Sequence, residues 1–378
     1  MDFGQFNLMS YRDAGTRAAD VYDLAVEQVK AAEQAGFSTA WFAEHHFSNY
    51  SVCPSPLMMV ARCAGETSRI KLASGVVIVP MYQPARLLSE VGMADALTHG
   101  RLVLGIGNGY QPYEFERFGE DLKDATAKTL EFMEMLDRAL TSDTFSYQGQ
   151  HFRMAETHIA SRPVRPGVPP VWVAGDNPAL HQLAARKGWP VMVTPRHFTP
   201  ALLAAARTRL ATTWAAAGAD PAAMRFATLR HICVTESRAE AMHFLDHVRY
   251  QMRMSQNLRL REQALQGGIL VEKPWAGEPT LEQMAESFMV GDAHTIAERL
   301  VAEIEAANPC HYLLQFQASG TSLPLALRSI ERFATQVKPL LEQALGPLDR
   351  IGEPAAAADP RRRDRRSDES VVQAQASA

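Results

Sequence analysis

The chain has 378 residues, 47% apolar and 21% charged, the balance of a globular protein with a sizeable core rather than of a disordered or fibrous chain. A formal net charge of -4 gives no electrostatic reason to expect nucleic acid or an anionic membrane as a partner. Cys53, Cys63, Cys233 and Cys310 lack CxxC spacing, so neither a zinc site nor a disulfide framework is implied, and reduced thiols fit a cytoplasmic location. The apolar alternation starting at Phe3 is preceded by no basic, apolar leader, and no run of about 18 apolar residues follows, so neither export nor a membrane span is expected.

Residues 3–9 read as a first strand and 17–35 as a helix, with Val21, Ala25, Val29 and Ala32 on one face and Gly36 placed to end it. A second strand at 39–43 follows. Ser55-Pro56 opens a helix through 67, and the β-branched run 70–79 is strand three. Pro84 opens a third helix with Leu87, Val91, Ala94 and Leu97, and 101–106 is strand four, running into a glycine-rich loop. After a helix at 123–140, residues 144–170 are proline-bearing and poorly periodic, as expected of an excursion off the scaffold. Strands at 171–174, 190–193 and 226–235 alternate with helices at 177–187 and 200–217. Helices at 238–253 and 292–307 flank a Gly- and Pro-bearing stretch from Gly267 to Pro279, read as a mobile lid inserted at about 254–285. Residues 311–317 are strand eight, and 325–345 are a closing amphipathic helix. The alternation predicts an α/β fold, a single (β/α)₈ TIM barrel with insertions over 1–345. From 346 to 378 the chain turns to Pro, Ala, Arg, Asp and Ser, too poor in apolar surface to fold, and is expected to be a disordered, solvated tail.

In such a barrel the functional residues sit at the C-terminal ends of the strands. Strand two ends in Glu44-His45-His46-Phe47. Alternation puts Glu44 and His46 on one face and His45 on the other, and the cluster either does chemistry or caps the strand. Metal is disfavoured, because the end of strand one supplies no further histidine pair. Strand four ends in Gly105, Gly107 and Gly109 at alternate positions, which allow backbone to approach a flat or anionic ligand; Tyr110, standing where a dinucleotide fingerprint needs glycine, excludes that fold. At the end of strand five, Asp176 or Asn177 is placed as an N-cap and Pro178 at a first helical position. That helix start either offers free N–H groups to a phosphate or is an ordinary capped helix.

Taken together, the blocks 3–6, 41–47, 72–80 and 100–110, with Phe118-Gly119 beyond, resemble the bacterial-luciferase-like flavin-dependent monooxygenases over about residues 3–345. The resemblance implies reduced FMN at the barrel mouth, delivered by a separate flavin reductase and oxidised by O₂. It also implies a hydrophobic small organic substrate of aldehyde, cyclic ketone or terpenoid class, and a homodimer formed across the early helices. His45 matches the family's catalytic histidine, with Glu44 beside it. The flavin would lie against Ser74, Gly75, Val76, Gly107, Asn108, Tyr110, Gly175, Asp176 and Asn177, over a non-proline cis peptide that falls at Gly75-Val76. The dry pocket that such chemistry needs assigns the Gly267–Pro279 stretch as a closing lid, with Trp275 as its apolar plug. The chain departs from the family at Gly107 (a cysteine there), Asn108 (an arginine), near Thr126 (a second arginine) and Asn177 (a serine). Phosphate binding is then left to backbone N–H groups, Asn108, Asn177 and Lys123 or Lys128. The same barrel would also serve a deazaflavin-dependent oxidoreductase or a non-catalytic flavin-binding partner subunit.

Overall fold

Eight short apolar runs pair side by side in chain order, all parallel: β1 (Asp2–Asn7), β2 (Thr39–Phe42), β3 (Lys71–Ser74), β4 (Leu102–Gly107), β5 (Val171–Ala174), β6 (Val191–Val193), β7 (Phe226–Val234) and β8 (His311–Gln315). β8 returns to pair with β1, at Phe3↔Tyr312 for example, so the sheet closes into the expected barrel. The computed structural model describes residues 1–193, 199–260 and 264–352.

Helices α1 (Ala18–Gln34), α2 (Pro56–Ala64), α3 (Pro84–Leu97), α4 (Pro112–Phe118), α5 (Ala125–Thr141), α6 (Pro178–Lys187), α7 (Pro200–Ala216), α8 (Arg238–Asn257), α9 (Leu281–Ser287), α10 (Ala293–Ala307), α11 (Leu323–Arg332) and α12 (Lys338–Leu345) follow. Most of them surround the barrel, and several start where the sequence says they should. Ser55 Oγ accepts from Met58 N and Asn177 Oδ1 from Ala179 N and Leu180 N, each just before a proline at the first helical turn.

Because strand side chains alternate, each strand feeds two cores. Phe6, Leu8, Trp41, Ala73, Val103, Met192, Ala227 and Leu313 fill the barrel, while Phe42, Leu72, Leu104, Val173, Phe226 and Leu314 pack outward with the helices. The barrel floor is tight. A Cβ at Gly4 would stand 2.6 Å from His311 Nε2, the atom that accepts from Trp41 Nε1 at 3.1 Å. Burial lowers the His311 pKa to about 3, which keeps its imidazole neutral. On the outer face, Arg230 of β7 pairs with Glu303 of α10 at 2.9 Å, both side chains 2% exposed, and Tyr312 donates to the same carboxylate.

Several expectations are corrected. The run 70–79 is not one strand: β3 stops at Ser74, the Gly75–Val76 peptide is cis, and only Val77–Ile78 resumes pairing, with Ile106 and Gly107. The excursion at 144–170 contains an antiparallel hairpin, Phe145–Gln148 with Arg153–Thr157. A short strand, Met289–Gly291, pairs with the end of β7 outside the barrel. The closing helix is interrupted by a π turn at Phe333–Val337. The chain does not become a tail at 346: Leu348 is buried, and Gly352 N donates to Asn308 Oδ1 at 2.9 Å. The rest of that expected tail, 353–378, lies outside the described residues, as do 261–263 of the expected lid. All four cysteines are buried, and no described helix is long and apolar enough to cross a membrane.

Candidate active site

The C-terminal ends of β2, β3 and β4 build one wall of the barrel mouth. Ser74 Oγ accepts from Gly105 N at 2.9 Å and donates to Gly105 O at 2.8 Å, locking β3 against β4. That approach requires glycine, since a Cβ at position 105 would lie 1.9 Å from Ser74 O. At position 107 a Cβ would meet Val76 Cγ2 at 2.8 Å. The glycines therefore admit neighbouring protein at close range, where the sequence suggested a ligand. Ser74, named above as a flavin contact, has its hydroxyl engaged by the strands and is fully buried. Gly75 and Val76 sit over Phe6 and Trp41 at the top of the barrel core.

Past β2 the side chains diverge, as alternation predicts. Glu44 is buried and accepts from His46 Nε2 at 3.1 Å, Ile78 N at 3.1 Å and Tyr82 Oη at 2.8 Å. Burial raises its pKa, and these three donors act against that rise. Glu44 thus anchors the backbone after the cis peptide, and its hydrogen bonds go to His46, Ile78 and Tyr82 rather than to His45. The carboxylate beside His45 is Glu114, supplied by α4, a helix that the sequence reading missed. Seven residues are too few for a periodic signal, and a buried glutamate in an exposed-looking PYEFERF segment has no sequence signature.

His45 is 12% exposed and Glu114 1%, with Glu114 Oε1 3.3 Å from His45 Nδ1 and accepting from His46 N at 2.7 Å. Gln111 Nε2 stands 2.7 Å from the same Nδ1. When Nδ1 carries a proton it donates to Glu114, and when it is bare it accepts from Gln111. Nδ1 thus has a partner whether or not it carries a proton, which suits a group that moves protons. Tyr50 and Tyr110 stand edge-on to the imidazole at 4.9 and 6.0 Å, and the Tyr50 hydroxyl is hydrogen-bonded to Tyr110 and to Ser255 of α8. Gln111 Oε1 and Glu114 Oε2 are buried with no partner among the described residues. Beside a histidine these two oxygens fit a polar ligand edge that brings its own donors.

The roof is the C-terminal half of α8 and the hairpin Leu265–Gln266/Ile269–Leu270. Met254, Leu258, Leu265 and Leu270 pack on Leu8, Ala43 and Tyr50, so the apolar plug is theirs; Trp275, expected in that role, is half-buried outside this cluster. Asn49 holds the hairpin, donating from N to Gly268 O at 3.0 Å and accepting from Leu270 N at 2.9 Å. Arg12 and Arg253 both pair with Glu272, and Arg253 also pairs with Glu278, so ion pairs fasten the segment that follows.

Next along the rim, past the ends of β4 and β5, Asn108 Nδ2 and Asn177 Nδ2 donate to Thr126 Oγ1 at 3.2 and 2.8 Å. Three sequence-named positions thus converge through a residue of α5. The helix start at α6 does not offer free donors. Pro178 has no N–H, Ala179 N and Leu180 N go to Asn177 Oδ1, and His181 N goes to Asn177 O at 3.0 Å. Gly175 and Asp176 are exposed. Lys123 and Lys128 are paired with Asp121 and Glu120. The ring end of an FMN therefore fits the residues present, and its phosphate end does not fit the described ones.

The model of the luciferase-like monooxygenase family matches residues 1–308. The chain belongs to that family. The chain is 35% identical over 92% of its length to the uncharacterized protein y4vJ of Sinorhizobium fredii, covering 99% of it. It is 26% identical over 86% of its length to the oxygenase component of the flavin-dependent trigonelline monooxygenase of Acinetobacter baylyi, covering 91% of that relative. Among solved structures, the oxygenating constituent of 3,6-diketocamphane monooxygenase from Pseudomonas putida, in complex with FMN, superposes with a TM-score of 0.72 at 19% identity. That match covers 90% of this chain and 98% of the other. An F420-dependent secondary alcohol dehydrogenase superposes with a TM-score of 0.69 at 17% identity, covering 90% and 98%. At these identities the structural matches speak for the fold.

Proposed function

We propose that this protein is the oxygenase of a two-component system that takes reduced FMN from a separate reductase and uses O₂ to oxygenate a small hydrophobic organic substrate of aldehyde, cyclic ketone or terpenoid class. The observation that carries it is His45, part-buried at the barrel mouth with a partner for Nδ1 whether or not that atom carries a proton, between an apolar floor and an apolar roof. The oxygenase-component name of the trigonelline relative supports the separate reductase, and the FMN complex of the diketocamphane enzyme supports the cofactor.

Reduced FMN, when bound, supplies the electrons that activate O₂. Gly75, Val76 and Gly107 would back its ring, and Tyr110 would border it. His45 holds or delivers the proton at Nδ1, Glu114 stabilises the protonated ring, and Gln111 steadies the neutral one. Glu44 positions the loop through Ile78 N. Met254, Leu258 and Leu270 exclude water, as chemistry that water would divert requires. Movement of the hairpin roof, acting as a lid, would admit ligands.

Anaerobic titration of the purified protein with reduced FMN and with reduced deazaflavin tests the cofactor. Saturable binding of FMN, followed by substrate-dependent O₂ uptake that His45→Ala abolishes, is expected. Binding of deazaflavin alone, with anaerobic hydride transfer, would overturn the monooxygenase reading. FMN binding without turnover on any member of an aldehyde, cyclic ketone and terpenoid panel would point to a partner subunit.

A further inference from the structure

We infer that this chain holds the distal end of its flavin as a neutral polyol, without selecting for the phosphate, so that riboflavin binds about as well as FMN. The inference rests on the flavin reading above and concerns the rim formed by Asn108, Thr126, Asp176 and Asn177.

A phosphate dianion is ordinarily held by a guanidinium, an ammonium or the unsatisfied N–H groups of a helix start. None of these is available on this rim among the described residues. The first four positions of α6 are accounted for, one by proline and three by bonds to Asn177. Lys128 is turned onto Glu120, and Lys123, exposed, lies 2.6 Å from Asp121. Residues 120–128 carry Glu120, Asp121 and Asp124 against those two lysines, and Asp176 adds an exposed carboxylate immediately before the cap. His181 donates no help: its Nε2 lies 2.7 Å from Gly175 O, and burial lowers its pKa, so it is uncharged at neutral pH. Among the described residues of this rim, a dianion would meet net negative charge.

What the rim does present suits hydroxyl groups. Two side-chain amides, from β4's end and from the α6 cap, meet at one half-buried threonine hydroxyl. Each amide nitrogen has a second N–H, Asn108 also has its carbonyl oxygen, and Thr126 has its own proton to give. Such groups exchange donors and acceptors with a ribityl chain at no charge cost. To a bound phosphate they offer neutral donors but no counter-charge.

The test is equilibrium calorimetry on the full chain under anaerobic conditions, with reduced FMN and reduced riboflavin, at low salt and at about 0.5 M NaCl. The expected result is two dissociation constants within about threefold of each other and insensitive to salt. FMN binding about tenfold or more tighter than riboflavin, with the gap closing in salt, would overturn the inference and leave the flavin reading standing. Failure of both ligands to bind would remove both. Asp176→Lys, at an exposed position, adds a second arm: it should tighten FMN about fivefold at low salt and leave riboflavin unmoved. An unchanged ratio would show that this rim does not face the flavin terminus, and would count against the inference.

Discussion

At the scale of single residues, the proposed chemistry turns on which carboxylate faces the imidazole. Adjacency suggested Glu44, but the structure shows Glu44 turned into the wall and Glu114 beside His45. Glu114→Gln keeps an oxygen for His46 N while removing the charge. It should lower kcat by about tenfold or more, as expected for losing the partner of an acid–base group, with the Kd for reduced FMN within about twofold of wild type. A change confined to Kd would instead make Glu114 a binding group. His45 itself was legible because an ionisable cluster followed an apolar run; Glu114 and Gln111 were not, since their role arises only when α4 folds back over the mouth. A second residue-level consequence concerns acid. His311 is a base whose folded pKa, about 3, lies below the ordinary histidine value of 6.5, so unfolding takes up a proton between those limits and stability is lost as pH falls from 6.5. His311→Gln keeps an acceptor for Trp41 Nε1. Between pH 6.5 and 4, wild type should lose about 3 kcal/mol more than this variant in urea unfolding, and equal losses would show that the buried imidazole is not the acid-sensitive group.

Among the elements, the strand–helix alternation carried most of the fold, because each strand is a short apolar run punctuated by glycine, proline or a cap. The Asn177 cap and the prolines opening α2, α3 and α6 stood where the sequence placed them. What alternation could not show was how closely elements approach. The glycine loop after β4 looked like a ligand cradle, yet Gly105 is demanded by the carbonyl of Ser74 on the next strand. Gly105→Ala should therefore collapse the yield of soluble, folded protein, whereas Gly65→Ala, with nothing within 4 Å of the new methyl and an ordinary φ of -76°, should fold normally. Comparable circular dichroism melts for both would refute the strand-contact account. The roof was half legible. Its Gly- and Pro-bearing stretch was visible, but the apolar plug is made by Met254, Leu258, Leu265 and Leu270, on a helix end and a hairpin whose packing depends on Asn49, some 200 residues away in sequence.

For the whole molecule, closure of the sheet by β8 on β1 follows from counting eight strands, and the family match across residues 1–308 agrees with that count. The outer Arg230–Glu303 pair was invisible in the sequence, because a charge on a strand gives no sign that its partner waits on a helix 73 residues later. Burial of every cysteine has an outcome that depends on the proposed reaction. An oxygenase that fires without substrate sheds hydrogen peroxide at its own doorstep, and peroxide attacks thiolates, not thiols. Burial pushes Cys63 and Cys233 up to about 12 and Cys53 further still, so the sulfur most open to self-inflicted damage belongs to Met58 and Met93, 73% and 55% exposed. After prolonged idle turnover, peptide mass spectra should show sulfoxide on those two methionines while all four cysteines remain alkylatable once the protein is unfolded. Sulfinic acid at Cys53 or Cys63 would mean that the barrel wall opens to solvent during each wasted cycle.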